Sequence, residues 1–503
     1  MKRILGIELG STRIKSVLIN EKGDILASGS YPWENRFEDG YWTYALEEVK
    51  RGIQESYQSL SKAYGSTIET LDSIGISAMM HGYLAFDENW ELLTPFRTWR
   101  NTTTEEASKI LSKELECTIP QRWSIAHLYQ AYLNHEPHVK HIAHLTTLAG
   151  YVHHMLTGKN ILGIGDASGM FPIQNHTYNQ TMVQRFQSLT HINVNEIFPQ
   201  IMLAGDYAGC LTKGGSLYLD PTGALQEGAI LAPPEGDAGT GMVATNSILP
   251  TTSNVSAGTS AFLMAVLEKP LPHSYPEIDR VMTPTGCDVA MVHTNTCTSE
   301  INSWVGLFHE VLSLFGTRID SNTLYTKLFE VAKEQTTENL LAYNFLAGEP
   351  IAHLQQGTPL LIRKPKGNIS LAEFMRAQLY SSVAALRLGI EILEKEGVFL
   401  TSVCGHGGLF KTDYIGQEIM SLALNTPITI LKHAGEGGAY GMALLAAYAL
   451  DSEEPLSSFL EKIFSNSQSI VVEASIEAKQ DFERYMKEYK KHLGVIPFIC
   501  EEE

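Results

Sequence analysis

Asp237 is the carboxylate whose neighbours are best suited to chemistry. It lies in the segment EGDAGTG at residues 235–241, which follows two prolines and consists largely of small residues. Glycines beside a carboxylate let a substrate approach closely, and a carboxylate so placed can accept a proton as a general base. Aspartate is also a common N-cap, so the same segment fits the start of a helix. The local sequence leaves both interpretations open.

Three turns rich in glycine and hydroxyl side chains each follow an apolar stretch that is typical of a strand. They are Gly10-Ser11-Thr12, Gly258-Thr259-Ser260 and Gly405-His406-Gly407-Gly408. Such turns can direct backbone N–H groups and hydroxyls at phosphate oxygens. Neither familiar nucleotide motif is complete, because Phe410 replaces the second glycine of a P-loop and Gly169 comes one residue too late for a dinucleotide fingerprint. A bound nucleotide would therefore use hairpin turns.

Two further segments have side chains suited to a small polar ligand. Met80-His81-Gly82 ends a predicted strand, where ligand contacts are common, although a structural histidine is the ordinary alternative. Trp99-Arg100 offers an apolar wall and a cation that could bind hydroxyl groups, or it covers part of the core.

The predicted elements divide the chain into two similar halves, each of which opens with strand, polar turn and strand. The predicted strands are 3–9, 15–20, 74–79, 261–267 and 399–404, and the predicted helices are 45–63, 371–396, 414–424 and 438–450. The second β-rich block begins near residue 245, and the sequence Pro250-Thr251-Thr252-Ser253 interrupts the pattern. We expect two α/β domains, residues 1–246 and 247–503.

Composition and charge exclude several classes of protein. The chain has 503 residues, with 37 Lys and Arg against 56 Asp and Glu, which gives a formal charge of −19. That balance disfavours nucleic acid and anionic lipid as partners, although it permits a locally positive site for a small anion. Six cysteines without a CxxC pair indicate free thiols, and neither a secretory leader nor a run of 18 apolar residues is found. We therefore expect a cytoplasmic protein without membrane spans.

In chain order, these segments resemble the motifs of the FGGY family of carbohydrate kinases over essentially the whole sequence. The matching segments are the first phosphate motif at 6–15, Met80-His81-Gly82, Trp99-Arg100-Asn101, Asp166-Ala167-Ser168-Gly169, Gly236-Asp237, the second phosphate motif at 256–260, the adenosine motif at 407–412 with Gln417, and the closing helix at 436–443. Eight motifs in the family's order form a specific signal.

The resemblance implies an α/β fold of two actin-like ATPase (ribonuclease H-like) domains, with ATP and sugar in an interdomain cleft. Residues 1–246 would bind the sugar and provide the catalytic base, and residues 247–503 would bind ATP. The implied sugar-binding residues are Met80, His81, Trp99, Arg100 and the base Asp237. The implied ATP-binding residues are Ser11, Thr12, Lys15, Gly258, Thr259, Gly407, Gly408 and Thr412. Glu8 would bind Mg²⁺, directly or through water.

Two departures from the family pattern concern the metal and the substrate. Glu8 stands where the family usually has aspartate, and Met79 replaces the glutamine that usually precedes Met80-His81-Gly82. Met80-His81-Gly82 favours a ketopentose such as xylulose, while another ketose, a polyol or a sugar acid are alternatives. Two other classes stay open: an actin-like ATPase that uses no sugar, and a sugar sensor that has lost catalysis. A homodimer is compatible with the resemblance.

Overall fold

The computed structural model describes residues 1–333, 335–412, 414–431, 437–465 and 467–500. The chain forms two compact units. Unit 1 comprises Met1–Leu249, Arg280–Val289 and Glu436–Ser467, and unit 2 comprises Pro250–Asp279, Ala290–Gly435 and Gln468–Glu503. Each unit therefore draws on several segments of the chain, and the single domain border expected near residue 246 stays a prediction.

Unit 1 is built mainly from the first half of the chain. Its strands are β1 (Ile4–Leu9), β2 (Arg13–Ile19), β3 (Ile25–Pro32), β4 (Arg36–Glu38), β5 (Tyr41–Thr43), β6 (Ser73–Ala78), β7 (Leu84–Phe86), β8 (His144–Thr146), β9 (Ile161–Gly163), β10 (Ile173–Gln174), β11 (Thr177–Tyr178), β12 (Gln200–Met202), β13 (Ile230–Leu231) and β14 (Glu235–Gly236). Its helices are α1 (Leu46–Tyr64), α2 (Glu105–Glu114), α3 (Ser124–Leu133), α4 (Leu148–Thr157), α5 (Ile164–Ala167), α6 (Gln180–Thr190), α7 (Val194–Ile197), α8 (Lys213–Leu219), α9 (Asp237–Ala244), α14 (Gly437–Tyr448) and α15 (Leu456–Phe464), with a 3-10 helix at Pro137–His141.

The main sheet of unit 1 places the carboxyl ends of three strands side by side. Its order is β13-β6-β1-β2-β3, and β14 also pairs with β6. β1 and β14 both run parallel to β6, so that Leu9 and Gly236 each lie opposite Ala78. Ligands of α/β sheets bind beyond the carboxyl ends of the strands. The residues that follow these three strand ends are therefore the expected place for a site.

Small residues allow α14 to approach this sheet and α9 closely. A Cβ atom at Gly441 would lie 1.9 Å from the carbonyl oxygen of Thr240, and one at Gly6 would lie 2.1 Å from the carbonyl oxygen of Ala439. No side chain larger than hydrogen fits either position without moving backbone. This close packing fixes the first turn of α14 beside the end of β1.

Unit 2 contains a second α/β arrangement. Its strands are β15 (Thr252–Ala257), β16 (Ala261–Val266), β17 (Ile278–Met282), β18 (Asp288–Thr294), β19 (Leu340–Tyr343), β20 (Leu360–Arg363), β21 (Ser402–His406), β22 (Ile428–Leu431) and β23 (Ser469–Val472), of which β17 and β18 extend into residues of unit 1. Its helices are α10 (Ser299–Leu314), α11 (Ser321–Ala332), α12 (Leu371–Lys395), α13 (Ile415–Leu424), α16 (Ile476–His492) and α17 (Ile496–Ile499), with 3-10 helices at Pro350–Ala352, Gly408–Lys411 and Leu493–Val495.

The sheet of unit 2 brings two of the predicted phosphate turns together. Its order is β17-β18-β16-β15-β21-β22-β23. β15 and β21 are parallel neighbours, with Ser256 opposite His406. The turns that follow these two strands therefore lie at the same edge of the sheet.

Most predicted elements are confirmed within a few residues, which is the usual precision of element ends. The β1–β2 hairpin, α1, β6 and α12 are clear cases. The second β-rich block starts at Thr252 rather than near 245, because α9 continues to Ala244. The strand predicted at 399–404 is observed at Ser402–His406. Each of the six cysteines lies in the described ranges as a free thiol. Among the described residues, no helix combines the length and the apolar character needed to cross a bilayer.

Candidate active site

Asp237 lies at the carboxyl edge of the unit 1 sheet as the first residue of α9. Gly236 is the N-cap, so the alternative of Asp237 as N-cap is wrong by one position. Asp237 Oδ1 accepts hydrogen bonds from the backbone N–H groups of Met80, at 3.1 Å, and Ala238, at 3.0 Å. Burial raises the pKa of Asp237 to about 6, although these backbone hydrogen bonds act to lower it. The side chain is therefore an ionised base of increased strength at neutral pH.

Glu8 extends from β1 toward the first turn of α14. Its Oε2 atom accepts a hydrogen bond from the backbone N–H of Ala439 at 3.1 Å. The absence of a side chain at Gly438 makes room for the carboxylate, because a Cβ atom there would lie 2.6 Å from Glu8 Oε1. Burial and the charge of Asp237 raise the pKa of Glu8 to about 7, while Lys15 opposes them. Glu8 and Asp237 thus repel each other in the ionised state.

Two mutually repelling carboxylates fit a divalent cation. Mg²⁺ prefers oxygen ligands and usually takes one or two protein carboxylates together with substrate phosphates. Within the described ranges, no group of three or more His, Cys, Asp or Glu side chains could hold a metal by itself. The carboxylates of Glu8 and Asp237 are suited to a cation that also binds substrate phosphates.

His81 is buried and both of its ring nitrogens have hydrogen-bond partners. Arg122 Nε lies 3.2 Å from His81 Nε2, and His81 Nδ1 lies 3.2 Å from the carbonyl oxygen of Gly169. Guanidinium only donates and a carbonyl only accepts, so the proton is on Nδ1 and Nε2 is the acceptor. Burial, with Arg122 as a second cause, lowers the pKa of His81 to about 3 and keeps the ring neutral. A sugar hydroxyl at His81 would have to share Nε2 with Arg122.

Two further carboxyl groups near Asp237, those of Asp166 and Glu235, are buried. Glu235 accepts hydrogen bonds from the backbone N–H groups of Gly165, at 3.2 Å, and Asp166, at 2.9 Å. Asp166 Oδ2 accepts a hydrogen bond from Thr147 Oγ1 at 2.6 Å, whereas its Oδ1 has no partner among the described residues. Burial raises the pKa of each carboxyl group to about 8, with Asp237 also raising that of Asp166.

We expect Asp166→Asn to stabilise the protein more at about pH 8 than at about pH 6.5. A group whose pKa is higher in the folded than in the unfolded state contributes stability that is complete below the unfolded value and is lost as pH rises through the folded value. For Asp166 that loss runs from its ordinary 3.8 to about 8. The asparagine amide resembles the protonated carboxyl group of Asp166 and can still accept the hydrogen bond from Thr147. Because asparagine does not titrate, the variant does not lose this stability as pH rises. The gain over wild type should grow by about 1–2 kcal/mol across this interval, at about 1.4 kcal/mol per pH unit.

Thermal unfolding of both proteins at the two pH values measures this gain. The lower pH is 6.5 because an unfolded histidine takes up a proton only below its ordinary pKa of 6.5. The lowered pKa of buried His81 therefore destabilises the fold only below pH 6.5. An equal difference in melting temperature at both pH values would contradict a neutral, buried Asp166.

The first predicted phosphate turn lies beside the predicted apolar wall. Trp99 Nε1 donates a hydrogen bond to Ser11 Oγ at 3.2 Å, and the Trp99 side chain is 38% exposed. Tyr44 donates from its hydroxyl to the carbonyl oxygen of Ser11 at 2.6 Å, which fixes the backbone of the turn. The Arg100 guanidinium lies 4.1 Å from the ring centre of Trp42, in a cation–π contact. Thr12 is exposed at the tip of the same turn.

Lys15 lies in β2 directly opposite Glu8 in the antiparallel register. The alternation of side chains along a strand places directly opposed residues on the same face of the sheet. Lys15 therefore provides positive charge on the face where Glu8 lies, in agreement with its lowering of the Glu8 pKa.

The unit 2 residues predicted to bind ATP lie at one edge of its sheet. Gly258 and Thr259 follow β15, and Gly407 and Gly408 follow β21. Gly407 has φ of 109°, and a Cβ atom there would lie 2.5 Å from the carbonyl oxygen of Ala257, so glycine is required. Thr412 follows the 3-10 helix Gly408–Lys411. Glu436, the first residue of the closing motif, lies outside the described residues.

The sequence did not single out Arg122 or Glu235 as parts of this site. Arg122 contacts His81 across 41 positions of sequence, and Glu235 contacts Asp166 across 69. For Glu235, an acidic residue next to Gly236-Asp237 in a glycine-rich segment was the available signal. For Arg122 the local sequence offers none.

Comparison with known proteins agrees with the predicted family. A model of the N-terminal domain of the FGGY family of carbohydrate kinases matches residues 3–218, and a model of its C-terminal domain matches residues 253–450. The chain is similar to a xylulose kinase of Staphylococcus epidermidis. The two sequences are 23% identical over an alignment of 517 residues, which covers 97% of this chain and 95% of that protein.

Solved structures share the fold. A ligand-bound xylulose kinase from Lactobacillus acidophilus superposes with a TM-score of 0.81 and 17% identity, over 99% of this chain and 100% of that one. A gluconate kinase from the same organism gives a TM-score of 0.82 and 17% identity over the same shares of the two chains. The predicted two-domain α/β fold is thereby confirmed. With both family domains matched in order over most of its length, the chain belongs to the FGGY family of carbohydrate kinases.

Proposed function

We propose that the protein transfers the γ-phosphoryl group of ATP to a hydroxyl group of a ketopentose of the xylulose type. The observation that carries the proposal is the Asp237 carboxylate, held at the edge of the sheet by the backbone of Met80 next to His81. Relatives that match nearly the whole chain are xylulose kinases, such as that of Staphylococcus epidermidis. The segment Met80-His81-Gly82 also favours a ketose.

Asp237 would act as the general base of the transfer. Both hydrogen bonds from Met80 and Ala238 go to Oδ1, so the proton of the sugar hydroxyl would go to Oδ2. As the proton leaves, the sugar oxygen forms a bond to the γ-phosphorus, and the bond from that phosphorus to the β,γ-bridging oxygen breaks to release ADP. The proton then passes from Asp237 to solvent.

The sugar would lie against Met80, His81, Trp99 and Arg100. Met80 and Trp99 offer apolar surface to the carbon skeleton, while His81 and Arg100 offer polar groups to the hydroxyls. Holding the sugar in one orientation beside Asp237 supplies much of the rate, because phosphoryl transfer depends on positioning more than on covalent chemistry.

The phosphates of ATP would contact the hydroxyl and glycine turns. The proposed contacts are Ser11, Thr12, Lys15, Gly258, Thr259, Gly407, Gly408 and Thr412. Glu8 would hold Mg²⁺ directly or through water, and the cation would neutralise charge on the phosphates. The acidic composition supports a small substrate rather than nucleic acid, and the free thiols support a cytoplasmic protein. We propose a homodimer by analogy with the family.

A sugar acid is the second candidate substrate. Arg122 is partly buried, its Nε atom lies 3.2 Å from His81 Nε2, and desolvation lowers its pKa to about 10. A partly desolvated guanidinium is well suited to a carboxylate. The gluconate kinase of Lactobacillus acidophilus is as similar in fold as the xylulose kinase of that organism.

Rates of ADP release with D-xylulose, D-ribulose, glycerol and D-gluconate separate these substrates. We expect kcat/KM for D-xylulose to exceed the others by about tenfold or more, because a site built to bond a given set of hydroxyls rejects analogues that leave its polar groups unpaired. A preference for D-gluconate would contradict the ketopentose as substrate and support the sugar acid. ADP release that does not depend on any sugar would contradict both.

A further inference from the structure

A short loop of unit 2 fixes the orientation of the second phosphate turn. In this loop, residues 295–299, the backbone N–H and the hydroxyl of Thr298 both donate to the carbonyl oxygen of Gly258, at 3.0 and 2.7 Å. The carbonyl oxygen of Thr259 accepts from the N–H of Cys297 at 2.7 Å and from Ser299 Oγ at 3.0 Å. The carbonyl groups of Gly258 and Thr259 are therefore both bonded to the loop.

The bonded carbonyls determine where the N–H groups of the turn point. In a trans peptide the carbonyl of one residue and the N–H of the next point in opposite directions. With the carbonyls of Gly258 and Thr259 bonded to the loop, the N–H groups of Thr259 and Ser260 point away from it. Such outward N–H groups are the donors that a phosphate needs.

The loop is itself held by two side chains that are almost completely buried. Glu349, which is 0% exposed, accepts from the N–H of Asn295 through Oε2 at 2.8 Å. Asn295 in turn donates from Nδ2 to the carbonyl oxygen of Gly348 at 2.6 Å. Asn344, which is 1% exposed, donates to the carbonyl oxygens of Thr296, at 3.3 Å, and Cys297, at 3.1 Å.

Glu349 is costly to bury, which argues for a role beyond packing. Burial raises its pKa to about 7, although backbone N–H groups of Asn295, Thr296 and Ile351 act to lower it. A carboxyl group that is kept out of water and bonded to backbone fixes that backbone in one conformation. The backbone concerned is the loop that bonds the phosphate turn.

We propose that Glu349 is a positioning residue for the ATP phosphates, acting through the loop 295–299 on the turn Gly258–Thr259. Asn344 supports the same loop at Thr296 and Cys297. This inference rests on the proposed contact between that turn and ATP. It assigns Glu349 no contact with the sugar, because the Glu349 side chain is fully buried.

Nucleotide binding by Glu349→Ala tests the inference. Calorimetry with ADP in the absence of sugar should show a dissociation constant raised by about tenfold or more, and the KM for ATP should rise alike, because small displacements of positioning groups are costly. The KM for the sugar should stay within about twofold. Asn344→Ala should raise both nucleotide constants in the same direction, and it serves as the second variant if Glu349→Ala does not fold.

Glu373→Ala is the matched control. Glu373 is also a buried glutamate of unit 2 that accepts from the backbone N–H of an asparagine, Asn339, but it is bonded to the chain before β19 and not to the loop. The Glu373→Ala protein should lose thermal stability, as the Glu349→Ala protein does, but should bind ADP with wild-type affinity.

Wild-type ADP affinity in folded Glu349→Ala would overturn the inference, as would an equal loss of affinity in Glu373→Ala. Absence of sugar-dependent ADP release by the wild-type protein would contradict the proposed function instead. The ADP calorimetry would still decide the role of Glu349 in that case.

Discussion

Replacing Asp237 with asparagine is expected to lower kcat by about 10²–10⁴, the usual contribution of a positioned general base. Asparagine still accepts hydrogen bonds from Met80 and Ala238, so the geometry is retained while the base is lost. The KM for the sugar should change little, because the side chain keeps its size. Steady-state kinetics of both proteins under saturating ATP measure the effect.

The pH dependence of the wild-type rate reports the same group. The pKa of Asp237 is raised to about 6, so the carboxylate becomes protonated as pH falls through that value. Saturating Mg²⁺ and ATP keep Glu8 ionised, so under these conditions the loss of the base should make kcat decline below about pH 6 with a slope of one on a logarithmic plot. The residual activity of Asp237→Asn should lack this decline.

Asp220→Asn is the matched control for the Asp237 substitution. Asp220 is a buried aspartate of the same unit that also accepts from backbone, at 3.1 Å from Thr222 and 3.0 Å from Leu225. Its replacement should cost stability and leave kcat within about threefold of wild type, because it lies outside the site. Near-normal phosphorylation by folded Asp237→Asn would remove Asp237 from the mechanism.

Replacing Glu8 with glutamine is expected to lower kcat by about 10²-fold, in the range for loss of one charged group that stabilises the transition state. The amide oxygen can still accept from Ala439, so the variant removes the charge and keeps the local contact. The Mg²⁺ concentration for half-maximal rate should rise at the same time, because a neutral amide is a poorer ligand than a carboxylate. Rates across a Mg²⁺ titration at fixed ATP measure both effects.

Glu8→Asp separates the charge from the hydrogen bond. Aspartate keeps the charge and is one methylene shorter, so the contact with Ala439 is weakened while the metal ligand remains. We expect a loss of less than about tenfold, smaller than that of glutamine. If aspartate is strongly damaging while glutamine stays close to wild-type activity, the hydrogen bond to Ala439 is the function of Glu8 and the charge is not.

The sequence predicted the parts of the site that lie in short motifs. Glu8 lies near the end of β1, and Asp237 and the turns at Gly258 and Gly407 come directly after strands. Close approach requires glycine at Gly236 and Gly407, and Gly407 also has a positive φ. Such features depend on local backbone geometry, which neighbouring residues largely determine. The hairpin, the strand β6 and the long helix α12 followed from hydrophobic pattern for the same reason.

The contacts that tune these residues could not be predicted in that way. Arg122 determines the tautomer of His81, and Glu349 orients Asn295, across 41 and 54 positions of sequence. These pairs meet only after the chain has packed, so no local spacing records them. His81 shows the consequence: the motif predicts a sugar contact, whereas the packed structure already uses both ring nitrogens.

The most direct test of the account is phosphorus NMR of the purified protein with Mg²⁺ and ATP, recorded with and without D-xylulose. The account predicts one molecule of sugar phosphate for each ADP formed, and neither product in the absence of the sugar. ADP formed at the same rate without sugar, or D-xylulose that binds without any phosphate transfer, would contradict it.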